Sequence, residues 1–377
     1  MLHNFEEHGI VIQGDVKLDL DKMMSRKSAV VEQTTKGLDF LMKKNKIEVY
    51  EGIASFIDAN TIEVNDGKKS KKVTAKNIVI ATGSKPTKLP FIDFDGDRII
   101  SSTEALKLKE IPKHLIVVGG GVIGLELGQV YNRLGSDVTV IEFQDRIIPN
   151  MDGSLSRELA KVFKKSGIKI MTNHKVKSIN KKNNIVSVVA ENSKGEDQLF
   201  EGDYCLIAIG RSAFTEGLKL SNIAVETDER GRINVNENLQ TSIPHIYAIG
   251  DVATSNRHTN MAFEHASVAL QNILLKFPAK INTSIIPTTI YIEPELSQVG
   301  YTKHAAELKF GAQNIICIKQ KFETNDRSVT DGNVNGLVQL IAKKNGKLIG
   351  ATIFAPNAGE LIQTCTFAIT LKLKLSA

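Results

Sequence analysis

The 377-residue sequence has no apolar run of the ~18 to 20 residues that a membrane-spanning helix needs. The stretch Met1 to His8 has neither the basic nor the apolar segment of a secretory signal. Cysteine is scarce: the three residues, Cys205, Cys317 and Cys365, are too few and too far apart for a disulfide framework or a thiolate metal site, and each reads as a small buried hydrophobe. A reducing, cytoplasmic compartment is the expectation. Positive charge is not focused either. The formal charge of +6 comes from scattered lysines, and the densest group, Lys68, Lys69, Lys71 and Lys72, follows the hairpin-turn signal Asn65, Asp66, Gly67. It reads as a solvated hairpin, so neither a nucleic acid nor a membrane is expected as a partner. Internal repeats and low-complexity tracts are absent.

What is present is an ordinary globular balance, 42% apolar and 24% charged, in a chain too long for one core; two or three domains are expected. A charged helix is expected from about Lys22 to Lys44. Strands follow at Ile47 to Tyr50, Ala54 to Ile57, Thr61 to Val64 and Asn77 to Ala81. Pro86 and Pro90 then mark an extended linker. From Leu115 the pattern becomes β-α-β-α-β: strand Leu115 to Val118, helix Val122 to Leu134, strand Asp137 to Ile141, helix Ser154 to Lys165, then strands at Ile168 to Met171, Ile185 to Ala190 and Tyr204 to Ile209. Such alternation argues for a parallel sheet covered on its faces. Ile246 to Ile249 leads through Gly250 and Asp251 to a helix from about Met261. Beyond Pro287, short strands at Thr288 to Ile292, Ile315 to Ile318, Leu337 to Ile341 and Leu348 to Ile353 suggest an α+β domain.

Gly119, Gly120, Gly121, Val122, Ile123 and Gly124 fit G-x-G-x-x-G after an apolar strand and before a helix, the context that makes the motif meaningful. The first glycine permits a tight turn, the second a close approach to a pyrophosphate, and Gly124 close packing of helix on strand. The helix N-terminus then offers N–H groups to the anion. Glu142, at the end of the next strand, suits the ribose hydroxyls and repels a 2′-phosphate, which selects NAD over NADP; otherwise it is a solvent-facing strand-end charge. Asp251 reads either as a helix N-cap or as a second nucleotide carboxylate.

The segments Ile80 to Pro86, Gly119 to Gly128, Val140 to Phe143 with Asp145 to Ile147, Ala208 to Arg211, and Tyr291 to Gly300 resemble the dihydrolipoyl dehydrogenases of the pyridine nucleotide-disulfide oxidoreductases, over essentially the whole chain. Glutathione reductases of that family use NADP and carry a basic residue where Glu142 stands. The resemblance implies an α/β fold with two Rossmann-like FAD/NAD(P)-binding domains, the FAD one incomplete, and a C-terminal α+β dimerisation domain. Its divisions would be 1–111 for FAD, 112–240 for the inserted NAD domain, 241–285 for the return to the FAD domain and 286–377 for dimerisation. It implies FAD contacts at Ala54 (backbone), Thr82, Gly83, Ser84, Asp251, Met261, Ala262, Phe263 and Glu264. NAD contacts are implied at Gly119, Gly120, Gly121, Val122, Ile123, Gly124, Leu125, Glu126, Glu142, Val176 and Gly210. Glu126 would occupy the place of a glutamate that pairs with a lysine beside the flavin; alternatively it is an exposed helix glutamate.

The implied activity is FAD-dependent oxidation of protein-bound dihydrolipoamide by NAD in a homodimer serving lipoyl domains of 2-oxoacid dehydrogenase or glycine cleavage complexes. The alternatives are another disulfide or mercuric reductase of the family, or a non-catalytic NAD-binding fragment. No cysteine pair close in sequence is present, His258 and His265 lack the context of the family's base, and no catalytic residue is assigned. The segment Leu2 to Gly9 looks like family sequence just after the first glycine loop and cysteine motif, and Leu371 to Ala377 like sequence just before the His-x-His-Pro segment. The expectation is a sequence truncated at both ends.

Overall fold

The computed structural model describes residues 9–275 and 279–376; Met1 to His8 and Ala377, at the ends of the family-like terminal stretches, lie outside the described residues. The chain divides into two units. The smaller, residues 1–49 with 106–111, contains α1 (Leu20–Lys44). Asp19 caps this helix by accepting the Lys22 N–H at 2.9 Å, and Lys43 and Lys44 in the last turn complement the helix dipole. No residue of α1 is buried. Among the described residues, Ile47 to Tyr50, expected as a strand, pairs with no other strand, because alternation alone cannot supply a hydrogen-bonding neighbour.

The larger unit, residues 50–105 and 112–377, holds the rest. Strands β1 (Ile53–Phe56), β2 (Thr61–Asn65) and β3 (Ser70–Thr74) form an antiparallel meander. Its β2–β3 turn is the expected solvated hairpin, with Asp66 accepting the N–H groups of Lys68 and Lys69. Then come β4 (Ile78–Ile80), β5 (Ser84–Pro86), β6 (Ile99–Ile100), the short helix α2 (Ser102–Ala105), β7 (His114–Val118), α3 (Val122–Arg133), β8 (Asp137–Ile141), α4 (Gly153–Lys165) and β9 (Lys169–Met171). They are followed by β10 (Lys175–Lys182), β11 (Ile185–Glu191), β12 (Asp197–Gly202), β13 (Tyr204–Ile207), β14 (Arg211–Ala213), β15 (Ile246–Ala248) and α5 (Thr259–Leu274).

A five-stranded parallel sheet in the order β6-β13-β7-β8-β9 is the centre of this region. Leu115, Ile116, Val117 and Val118 are at most 3% exposed, as expected of a strand covered on both faces. The expectation that Ile185 to Ala190 extends this sheet is corrected. β11 lies in a separate antiparallel sheet, β10-β11-β12, and Val186, Val188 and Ala190 pack their alternate faces onto Ile116, Val118, Ile141 and Cys205. A three-stranded sheet thus covers the face where strand–helix alternation alone would put a helix.

Asp95 ties β10 to the loop before β6. Its carboxylate accepts the N–H groups of Asp97, Arg98 and Ile99 and the Lys181 ammonium at 2.7 Å. Partial burial works against ionisation, but these donors outweigh it and draw the pKa from 3.8 to about 2. A depressed carboxylate stabilises above its unfolded pKa and loses that contribution as pH falls toward the folded one. Asp95→Asn is therefore expected to cost about 1 kcal/mol at pH 7, after allowance for solvent screening at this partly exposed site. Urea unfolding at pH 7 and pH 2 should show most of the cost gone at the lower pH, where the folded carboxyl is about half protonated.

The C-terminal region contains β16 (Thr288–Ile290), β17 (Glu295–Gly300), α6 (Lys303–Phe310), β18 (Ile315–Lys321), α7 (Asp326–Thr330), β19 (Leu337–Lys343), β20 (Leu348–Ala355) and α8 (Ala358–Thr370). The sheet is antiparallel, β16-β17-β20-β19-β18, and α8 covers one face by burying Ala358 and Ile362 against Val299, Ala351 and Ile353. This is the expected α+β texture. Among the described residues no helix is long and apolar enough to cross a membrane.

Candidate functional site

In the parallel sheet, β8 continues from β7 on one side and β13 lies on the other, so the chain reverses direction of build-up at β7. Open α/β sheets bind ligands outside the carboxyl ends of their strands at such a point. The glycine loop stands there. Gly119 has φ +110°, and a Cβ on it would lie 2.5 Å from the Ala208 carbonyl oxygen at the end of β13. A Cβ on Gly124 would lie 2.2 Å from the Gly119 oxygen and 3.0 Å from Val117, so helix and strand meet backbone to backbone. Gly120 is closed in by Ile147 and Glu142. Gly121 differs: nothing lies within 4 Å of its Cβ position, and as N-cap of α3 it contributes no side-chain bond. The space beside Gly121 at the start of α3 is therefore open, as an anion at a helix N-terminus requires.

Glu142 is 8% exposed and is not the solvent-facing charge that was the alternative. Its two oxygens accept the Gly120 N–H at 2.6 Å and the Gln144 N–H at 2.7 Å. Its backbone N–H donates to Met171 and its carbonyl accepts from His174, which fixes the ends of β8 and β9. Val176, in β10, packs against the same core, and Gly210 (φ +118°) follows β13. Of the helix residues, Leu125 is fully buried and Val122 and Ile123 are half-buried. Glu126 is half-buried too. Burial raises its pKa, and the Tyr291 N–H at 2.9 Å partly offsets this. It lines a cleft of about 230 Å³ with Gln129, Arg133, Tyr291 and Glu293.

A second group of residues forms where β4 and β15 run parallel and both end in a glycine turn. Ser84 Oγ donates to Asp251 Oδ2 at 2.5 Å; Arg211 donates from Nε to Ser84 Oγ at 2.6 Å and from Nη2 to the Ser84 carbonyl at 2.5 Å. Thr82 Oγ1 donates to the Phe214 carbonyl, and the Phe214 N–H returns to Gly83. Gly83 and Gly250 have φ +73° and +67°. Asp251 lies in a one-turn 3-10 segment, Gly250–Val252, whereas α5 starts at Thr259 with His258 at its cap; the N-cap reading of Asp251 is corrected. Ala262 packs on Gly250 and Met261 is buried, but Phe263 and Glu264 face solvent, and Ala54 sits in β1 opposite Val64 without a hydrogen bond to the Ser84–Asp251 pair.

Sequence reasoning missed Arg211 and His265 as parts of this arrangement. His265, 4% exposed, accepts the Gly250 N–H on Nδ1 at 3.2 Å and so holds the turn before Asp251; burial lowers its pKa, as it does for His258. Arg211 had one signal, its place directly after Gly210. Its partner Ser84 is distant in sequence and is met only through the β14–β5 pairing.

Two sequence profiles match: pyridine nucleotide-disulphide oxidoreductase over residues 3–272, and the dimerisation domain of the same proteins over 286–377. The chain belongs to the pyridine nucleotide-disulphide oxidoreductase family. Among relatives, it is 40% identical to dihydrolipoamide dehydrogenase of Chaetomium thermophilum over 98% of this chain and 73% of that protein. It is 39% identical to mitochondrial dihydrolipoyl dehydrogenase 1 of Arabidopsis thaliana over 97% and 72%. The fold matches LpdA of Mycobacterium tuberculosis with a TM-score of 0.90 at 24% identity, covering 100% of this chain and 81% of that one. It also matches RclA, an HOCl-induced flavoprotein disulfide reductase of Escherichia coli, with a TM-score of 0.84 at 26% identity, covering 100% and 83%.

Members of this family typically bind FAD and a nicotinamide dinucleotide, and both groups of residues can be tested against them. The open first turn at Gly121 fits a pyrophosphate. The Ser84 hydroxyl and Asp251 carboxylate, exposed in part and adjoining two left-handed glycine turns, fit a polyhydroxyl chain.

The cysteines are all free. Cys205 is fully buried and its thiol is pushed up to about 12 by burial, but Cys317 and Cys365 are only half-buried, which corrects the expectation that all three are sealed. Iodoacetamide at pH 8 is expected to leave Cys205 unlabelled in the folded chain and to label it once urea unfolds the protein; mass mapping of the alkylated peptides reads the result.

Proposed function

We propose that this chain is an NAD-linked flavoprotein of the dihydrolipoyl dehydrogenase type, acting as a homodimer with lipoyl groups as the disulfide partner. The single observation that carries the NAD assignment is Glu142: a buried carboxylate at the end of β8, bonded to the glycine loop itself, at the edge of the open space before α3. Within this reading, Gly119 to Glu126, Glu142, Val176 and Gly210 serve the dinucleotide. Ala54, Thr82 to Ser84, Asp251 and Met261 to Glu264 serve FAD, and the domain divisions are those at 111, 240 and 285. The relatives named as dihydrolipoyl dehydrogenases support the lipoyl partner.

FAD, when bound, supplies two-electron exchange with the nicotinamide. The chain's residues bind and orient: the α3 N-terminus faces the dinucleotide phosphates, Glu142 accepts from ribose hydroxyls, and Asp251, held by Ser84 and Arg211, accepts from the ribityl chain. Thiol exchange with lipoamide is assigned to none of the three cysteines of this sequence, because Cys205 is sealed and no two of them are close in sequence. That placement favours a second reading, an NAD-binding chain without turnover. The experiment is NADH oxidation by the full chain with ferricyanide as acceptor, with and without added FAD. Flavin-dependent oxidation is expected; saturable NADH binding with no flavin-dependent oxidation selects the second reading.

A further inference from the structure

Of the non-glycine residues with positive φ among those described, Ile148 alone is β-branched. Its φ of +41° is a conformation that a branched Cβ resists. Such a residue persists only where its surroundings over-determine it, and such residues gather at functional sites. Ile148 is held in this way. Its side chain is 3% exposed, its N–H donates to the Gly120 carbonyl at 2.8 Å, and its own carbonyl accepts the Met151 N–H at 2.9 Å. One residue earlier, Ile147 is 1% exposed, and its carbonyl accepts the hydroxyl of Ser156, a buried residue of α4, at 2.7 Å. The strained turn is thus fastened to α4 on one side and to the glycine loop on the other. A peptide unit is planar and trans, so its C=O and N–H point in opposite directions. With the Gly120 oxygen fixed on Ile148, the Gly121 N–H is turned to the side away from Ile148. The Glu142 carboxylate takes the Gly120 N–H, so the two peptide units that meet at Gly120 are each held by a different neighbour.

We infer that Ile148 is a positioning residue for the dinucleotide: its left-handed backbone, braced by Ser156, sets the Gly120–Gly121 peptide so that the Gly121 N–H meets the pyrophosphate. The inference rests on the dinucleotide reading of the glycine loop and adds to it the turn that holds that peptide. Both side chains are buried and act through the Gly120 carbonyl, with no contact to the ligand. A turn free to relax would let the peptide rotate, and the donor would lose its aim.

The test titrates the full chain with ADP-ribose, which carries the pyrophosphate, and with adenosine, which keeps the ribose hydroxyls and lacks it. Ligand-observed NMR reads both affinities, each referred to the folded fraction from thermal unfolding. Wild type is compared with Ser156→Ala and with a chain in which an ester oxygen replaces the Ile148 N–H. The ester keeps every side chain and removes the donor to Gly120. ADP-ribose affinity is expected to fall by about tenfold or more in the ester chain, the value of one hydrogen bond to a charged group, while adenosine affinity holds. Ser156→Ala, which frees the Ile147 carbonyl, should lower it in the same selective way, so it carries the test if the ester chain does not fold. An equal fall for both ligands, or no fall for either, overturns the positioning role and leaves the dinucleotide reading standing. Wild type binding adenosine as tightly as ADP-ribose places the pyrophosphate away from Gly121 and overturns the inference alone. Binding of neither ligand by the wild type overturns the dinucleotide reading with it.

Discussion

Gly124→Ala is expected to abolish saturable NADH binding and to destabilise the chain by about 3 kcal/mol, the upper end of the usual cost of overpacking, because the new methyl meets backbone. The new Cβ would stand 2.2 Å from the Gly119 oxygen, so α3 must move off β7 and carry its N-terminus away from the loop. Gly121→Ala separates binding from folding. Its backbone, φ −83° and ψ −175°, suits any residue, and its Cβ would meet nothing. The melting temperature should therefore hold, while NADH affinity falls by about tenfold or more as the methyl enters the space proposed for the pyrophosphate. Calorimetric titration beside thermal unfolding distinguishes the two variants: both lose NADH, and only Gly124→Ala loses stability.

Glu142→Gln is the second large effect. The carboxylate accepts two backbone N–H groups, and an amide can accept on one side only, so the Gly120 or Gln144 N–H is left facing an NH2. A buried unsatisfied donor costs about 1–3 kcal/mol. Removing the negative charge also removes the repulsion of a 2′-phosphate. NADH affinity should fall by about tenfold while NADPH affinity rises, bringing their ratio close to one. A variant that still rejects NADPH would place cofactor choice on another residue.

The glycine loop was legible because its requirements are local. An apolar strand, three close-packed glycines and a helix start fall within a few residues of one another, and Glu142 follows at the end of the next strand. The antiparallel cover was not legible as a sheet. In β10 the lysines at 175, 177, 181 and 182 mask an inward row of which Ile179 is the only fully buried member, and β11 becomes interpretable only beside its partners. The N-cap reading of Asp251 failed because a local rule was applied to a residue seven positions ahead of the cap of α5. Arg211 and His265 depend on contacts across 127 and 15 residues, and neither spacing belongs to a motif. Glu142 was legible as a candidate nucleotide carboxylate, whereas its bond to the glycine loop came only from the folded chain.

The proposed NAD site is tested most directly by paired equilibrium titration of the full chain with NADH and NADPH at one ionic strength. Saturable NADH binding at least about tenfold tighter than NADPH is expected from a carboxylate set against a 2′-phosphate. Equal affinities, or no saturable binding of NADH, would contradict it.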